Sequence, residues 1–178
     1  MTIKYSEAIH IINTPKRLID IHDWTVADNR SGQSVTHKFR ARIEIQGALP
    51  RGIWFRCSKI YGRESDGTFQ LDQEQLNYRS HIPLYRLDWN PSKAHTNGQY
   101  GPEELRGILI PAYTTHEHRA SDNYDIITGV MRSDGLSTAS IVKEDIKNFN
   151  KALEYVCDKL KIQNWDQIPP PTAQGDML

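Results

Sequence analysis

His37–Gln46, HKFRARIEIQ, alternates without a break: Phe39, Ala41, Ile43 and Ile45 are apolar, and Lys38, Arg40, Arg42 and Glu44 between them are charged. Period two predicts a strand with one face in a core and the other in water, as in an antiparallel sheet. The segments that follow repeat the theme. Gly47–Gly52 is a turn, and Ile53–Ile60 returns with Phe55 and Cys57 on one face and Trp54, Arg56 and Ser58 on the other. Glu64–Gly67 predicts a second turn and Thr68–Asp72 a short third strand. Ile82–Trp89 and Leu105–Thr115 predict two more strands, separated by the long polar loop Asn90–Glu104, and Ile126–Met131 reads as another. In Ile82–Trp89 the residues Tyr85, Leu87 and Trp89 face the core, and Arg86 and Asp88 face away.

The period changes at both ends of the chain. Ser6 is a candidate N-cap for a first helix with Ala8, Ile11 and Ile12 on one stripe, halted or restarted at Thr14-Pro15. Leu18–Ile21 suits either a continued helix or a strand, and Trp24–Ser34 reads as a loop or hairpin. Near the C-terminus Ile146, Phe149, Leu153, Val156, Cys157 and Leu160 recur at helical spacing, with Ser140 as candidate cap. Asn164-Trp165 predicts a last turn before Pro169–Pro171. Strands grouped between two helices predict an α+β domain, an antiparallel meander of about five strands packed by N- and C-terminal helices. We expect one domain over residues 1–178, with a core of about 5–168 and a proline-rich tail at 169–178.

Lysine plus arginine and aspartate plus glutamate both number 22, which argues against a protein that coats duplex nucleic acid, though not against a local basic patch. No apolar run approaches a membrane span and no signal core is evident, so we expect a cytoplasmic protein with no membrane partner. Cys57 and Cys157 stand apart, which suggests buried thiols in a reducing compartment.

Four of the seven histidines fall between His81 and His118. His116 and His118 alternate on a predicted strand, so both imidazoles can face one side, and His95 in the preceding loop can swing in as a third ligand. Three histidines suit zinc, and a carboxylate from Asp122 or Asp125 would shift preference toward iron or manganese. The same histidines can work without metal as an acid/base pair on a phosphodiester, with Arg86, Arg106 or Arg119 stabilising charge on phosphorus. Asp88 can orient a histidine from behind. The plainer alternative pairs Arg86 with Asp88 and leaves each histidine bonded to a carbonyl or carboxylate. Tyr61-Gly62-Arg63 and Tyr78-Arg79 mix aromatic and basic residues, as single-strand nucleic-acid platforms do. Motifs of P-loops, dinucleotide folds, serine hydrolases and zinc proteases are absent.

The layout of Ser6-Glu7-Ala8, Pro15-Lys16, Arg86-x-Asp88, His95-x-Asn97 and His116-x-His118, closed by an amphipathic helix and prolines, resembles a family of small uncharacterised proteins in bacterial and prophage genomes. It departs from that pattern at Ala120, where an aromatic is expected, and in a longer loop before His116. The resemblance implies a cytoplasmic bacterial or phage protein in a mobile-element, toxin or defence setting. The expected function is cleavage of a phosphodiester in RNA or a small nucleotide. Arg86, Asp88, His95, His116 and His118 would be its catalytic residues, and a divalent metal (Zn, Mn or Fe) would sit on His95, His116 and His118. The alternative is a non-catalytic module that binds a protein partner, as an inhibitor, antitoxin or defence partner.

Overall fold

A computed structural model describes residues 2–28, 35–61, 66–75, 81–132 and 135–171. Helix α1 spans Tyr5–Asn13, followed by strands β1 (Lys16–Ile19), β2 (Thr25–Asp28), β3 (Val35–Ile45), β4 (Ile53–Tyr61), β5 (Gly67–Glu74) and β6 (His81–Trp89). The shorter strands β7 (His95–Thr96), β8 (Leu109–Ile110), β9 (His116–Arg119), β10 (Tyr124–Asp125), β11 (Val130–Met131) and β12 (Ser140–Ile141) precede helix α2 (Phe149–Lys159). The chain is α+β. Its main sheet has eight antiparallel strands in the order β1-β3-β4-β5-β6-β9-β12, and β2 shares the β3 edge with β1.

The alternation in β3 places Phe39, Ala41 and Ile43 on the buried face. Phe55 and Cys57 of β4, Phe69 and Leu71 of β5, and Tyr85, Leu87 and Trp89 of β6 continue that face across the ladder. Ala8 and Ile11 of α1 and Phe149, Leu153, Val156 and Cys157 of α2 complete the same core. Each large apolar side chain buried there contributes about 1.5–3 kcal/mol. The opposite face is polar, and there the chemistry collects.

Several element ends differ from the sequence reading, each for a tertiary reason. Helix α1 starts at Tyr5, and Lys4 in the cap position gives no side-chain bond. The Tyr5 amide is satisfied instead by Gly129 O at 2.9 Å, so a neighbouring turn does the work expected of Ser6. Helix α2 starts at Phe149 and not near Ile146, capped by Asn148 Oδ1, which accepts from Lys151 N at 3.0 Å. Ser140 lies in β12, opposite Glu117. Leu18 and Ile19 belong to a strand, as do Thr25–Asp28; the rest of the expected hairpin, 29–34, lies outside the described residues.

Leu105–Thr115 is not a strand. A 3-10 turn at Glu103–Leu105 leads into it, and its only strand is the two residues of β8, which pair with His95-Thr96. Pro111 has no amide to donate, and Tyr113 takes φ 62°, which breaks extension before β9 begins at His116. Ile126–Met131 is likewise interrupted. A turn whose Ile127 and Thr128 amides donate to the Asp125 carboxylate separates β10 from β11. Pro169 begins the proline run packed on the domain, its carbonyl accepting from Trp24 Nε1 at 2.6 Å. Gly62-Arg63 and Tyr78-Arg79 lie outside the described residues. Among those described, no helix is long and apolar enough to cross a membrane.

Candidate metal centre

The β6–β9 ladder sets the site. Asp88 stands opposite His116 and Arg86 opposite His118, so the two alternations, R-x-D and H-x-H, present four polar side chains on one face. His95 reaches them from β7, which the β8 pairing folds back over the sheet. Ring centroids of His95, His116 and His118 lie 4.9–5.3 Å apart, and one nitrogen from each falls within 4.8 Å of the others. The three histidines singled out by spacing therefore converge.

The outward nitrogens are occupied. His116 Nδ1 donates to Thr114 O at 2.8 Å. His95 Nε2 donates to Ser137 O at 3.1 Å and to Asn97 Oδ1 at 3.0 Å. A carbonyl partner can only accept, which assigns the proton and leaves the second nitrogen of each ring a bare lone pair. That is the hydrogen-bond pattern by which proteins orient histidine ligands. Asp88 Oδ2 lies 3.4 Å from His116 Nε2 and 3.2 Å from His118 Nε2. Donor atoms bound at about 2.0 Å in a tetrahedron sit about 3.3 Å apart, so this carboxylate has the spacing of a fourth ligand or of a direct hydrogen-bond partner.

Electrostatics favour the neutral form of His95 and His118. Burial and the Arg86 charge, opposed by Asp88, lower His118 to about 4. Burial, with His116 beside it, also lowers His95. Burial alone would raise Asp88, but the His116 and His118 rings beside it and the Arg86 charge outweigh it and hold the carboxyl far below its usual range. The site thus sets His95 and His118, both lowered toward the neutral form, beside an ionised carboxylate, the protonation states that bind a cation. Arg86 closes one side, its Nη2 2.7 Å from His118 Nε2 and its Nε 3.0 Å from Asp88 Oδ2. The plainer alternative is part of this picture, since Arg86 does pair with Asp88 and two histidines do bond carbonyls; it leaves the convergence of their other nitrogens unexplained.

Other candidates lie elsewhere. Asp122 is taken by Arg119 at 2.8 Å, Asp125 holds the β10–β11 turn, and Arg106 donates to Gly101 O. The carboxylate beside the imidazoles is Asp88, and the arginine is Arg86.

Sequence reasoning left His81 without a role. It joins Arg56 and Asp72 in a second Arg–Asp–His cluster on the same face: Arg56 Nη2 lies 2.7 Å from His81 Nδ1, and the Asp72 carboxylate lies 3.2 Å from each of them. Burial raises the Asp72 carboxyl, against the pull of Arg56 and His81. Counting by twos from Arg86 places His81 on the opposite face. A β-bulge at Leu71/Asp72 shifts the β5–β6 register by one residue and returns His81 to the polar side. No local signal in the sequence marks that bulge. No protein-family model, curated protein or solved structure matches this chain.

Proposed function

We propose that this protein is a metal-assisted phosphodiester hydrolase acting on RNA or a nucleotide. The observation that carries the reading is the convergence of His95, His116 and His118, with the outward nitrogens of His95 and His116 held by carbonyl and amide oxygens. Three imidazoles with a carboxylate beside them suit zinc, manganese or iron. A divalent cation held there supplies Lewis acidity toward a phosphoryl oxygen and a water of lowered pKa. Arg86, on the rim, stabilises charge on the phosphoryl group, and Asp88 neutralises the cation and fixes His116 and His118. A toxin or phage-defence setting is the context that the family resemblance implies for such an activity.

A second reading, a non-catalytic protein-binding module, is favoured by the exposed apolar pair Ile126 and Ile127, 82% and 91% exposed at the tip of the β10–β11 turn.

Elemental analysis of tag-free protein beside His116→Ala tests the metal-assisted reading. Stoichiometric zinc, manganese or iron in the wild type and its loss in the variant are expected. Protein that stays metal-free after incubation with each ion would overturn it.

A further inference from the structure

The polar face of the sheet carries an ordered row of cations that ends at the imidazoles. Arg40 of β3 pairs with Arg56 of β4, Arg56 with Gln70 of β5, Gln70 with Arg86 of β6, and Arg86 with His118 of β9. Directly opposed residues share a face, so these five side chains cross the sheet in a line. Four strand spacings of about 4.8 Å make that line roughly 19 Å long. A parallel row beside it runs Lys38, Ser58, Thr68, Asp88 and His116.

A groove of about 880 Å³ lies over the β3–β5 half of these rows. Its basic walls are Lys38, Arg40, Arg42 and Arg56, against the acidic Asp20 and Asp23, and Arg42 already pairs with Asp20 at 3.3 Å. The groove ends beside the histidine site: Thr68 lines it and donates to Asp88 Oδ1 at 3.0 Å. Arg40 stands 5.2 Å over the Trp54 ring, an aromatic plane with a cation beside it in the same groove. Arg56 is held in place by the buried Asp72, and its side chain remains 34% exposed. Arg56 and Arg86 are separated by two strand spacings, roughly 10 Å, too far for one phosphate to bridge.

We infer that this groove binds the backbone of a single-stranded nucleic acid, several nucleotides of which lie across β3–β6 while one phosphodiester sits at the imidazoles. Spaced guanidiniums, a net charge of zero over the whole chain and an aromatic platform are the chemistry of a short single-strand site and not of a duplex-coating surface. The placement of the cleaved bond rests on the hydrolase reading above; the binding of the strand does not.

Fluorescence anisotropy in chelator, on the full chain, separates the two. The probes are a labelled single strand of twelve nucleotides, as RNA and as DNA, with a dinucleotide, a duplex and polyglutamate as competitors. The wild type is expected to bind the strand at least tenfold more tightly than the dinucleotide, with an affinity that falls as salt rises. Lys38→Gln/Arg40→Gln changes two exposed side chains, so folding is not at stake; it should weaken the strand about tenfold and flatten the log–log salt slope by about 1.4. Arg56→Gln should do the same for one cation, with thermal melting as the check on its buried partner. Equal binding of dinucleotide and strand, wild-type affinity in the double variant, or equal competition by polyglutamate would each overturn the inference. Hydrolysis of bis(4-nitrophenyl) phosphate, which has no flanking phosphates, reads the metal site alone. Strand binding without that hydrolysis would sink the hydrolase reading and keep the groove; hydrolysis without strand binding would do the reverse and leave a small nucleotide as substrate.

Discussion

Asn97 holds His95 in place, its Oδ1 accepting from His95 Nε2 at 3.0 Å and from Ala139 N at 2.8 Å. Its Nδ2 donates to Leu105 O and Ala139 O at 2.8 and 2.9 Å, so one buried amide ties the loop before β9 to the segment before β12. Asn97→Leu keeps the volume and strands these partners. The expected loss is about 3 kcal/mol or more, read from urea unfolding. A change under about 1 kcal/mol would mean that the loop closes without this residue.

Ligand binding to the folded state alone raises stability by mass action. Zinc or manganese at a hundredfold excess over its Kd should add about 2.7 kcal/mol. For a chain of this size that is roughly 5–10 °C in Tm. Thermal melts with and without metal should show the shift in wild type and lose it in His118→Ala. Equal shifts in both proteins would place the ion elsewhere.

Arg86 is the charge closest to the imidazoles. Arg86→Met should lower kcat on a strand substrate by about a hundredfold or more, the usual effect of removing one donor from developing charge. Arg86→Lys restores charge without the planar fork, so only partial recovery is expected. Wild-type kcat in the methionine variant would remove Arg86 from the chemistry.

Lys16 gives the stability curve a marked pH dependence. It is 1% exposed, and its Nζ donates to Ile12 O and Leu160 O, carbonyls at the C-terminal ends of both helices. Burial, helped by the charge of Lys161, lowers it from 10.5 to about 8. Between those values the unfolded chain carries the proton that the folded chain has released, so stability rises with pH across that window. Below it both states are protonated and the full burial penalty remains. Urea midpoints at pH 7.5 and pH 10, compared with Lys16→Met, isolate the effect. The wild type should gain on the variant as pH rises; a flat or falling difference would contradict the assignment.

Gly101 sits in the loop that carries β7, at φ +88°, and a Cβ there would lie 2.6 Å from Asp122 O. Gly101→Ala should cost about 2 kcal/mol or more, from the left-handed backbone and the clash together. Thermal unfolding checks it, and a loss below about 0.5 kcal/mol would show that the loop can move aside.

The α+β class and the faces of β3, β4 and the Arg86–Asp88 part of β6 were legible because alternation is a local property. So was the H-x-H geometry, since period two alone puts His116 and His118 on one side. The same rule gave His81 no role, because one inserted residue reverses every face beyond it. It also misread Leu105–Thr115, whose apolar content suits a strand but whose Pro111 and left-handed Tyr113 do not. Helix starts were displaced where a distant backbone oxygen, such as Gly129 O, satisfied an amide that the sequence reading assigned to a side-chain cap.

By itself, then, the amino-acid sequence determined what periodicity encodes: which segments alternate, which run helically, and which residues can share a face. Tertiary structure alone decided that Asp88, not Asp122 or Asp125, meets the imidazoles, that Asn97 pins His95, and that Arg40, Arg56 and Arg86 form one line. Those relationships depend on strand register and on a bulge, set by packing between segments far apart in the chain, and register leaves no local mark in the residues it brings together.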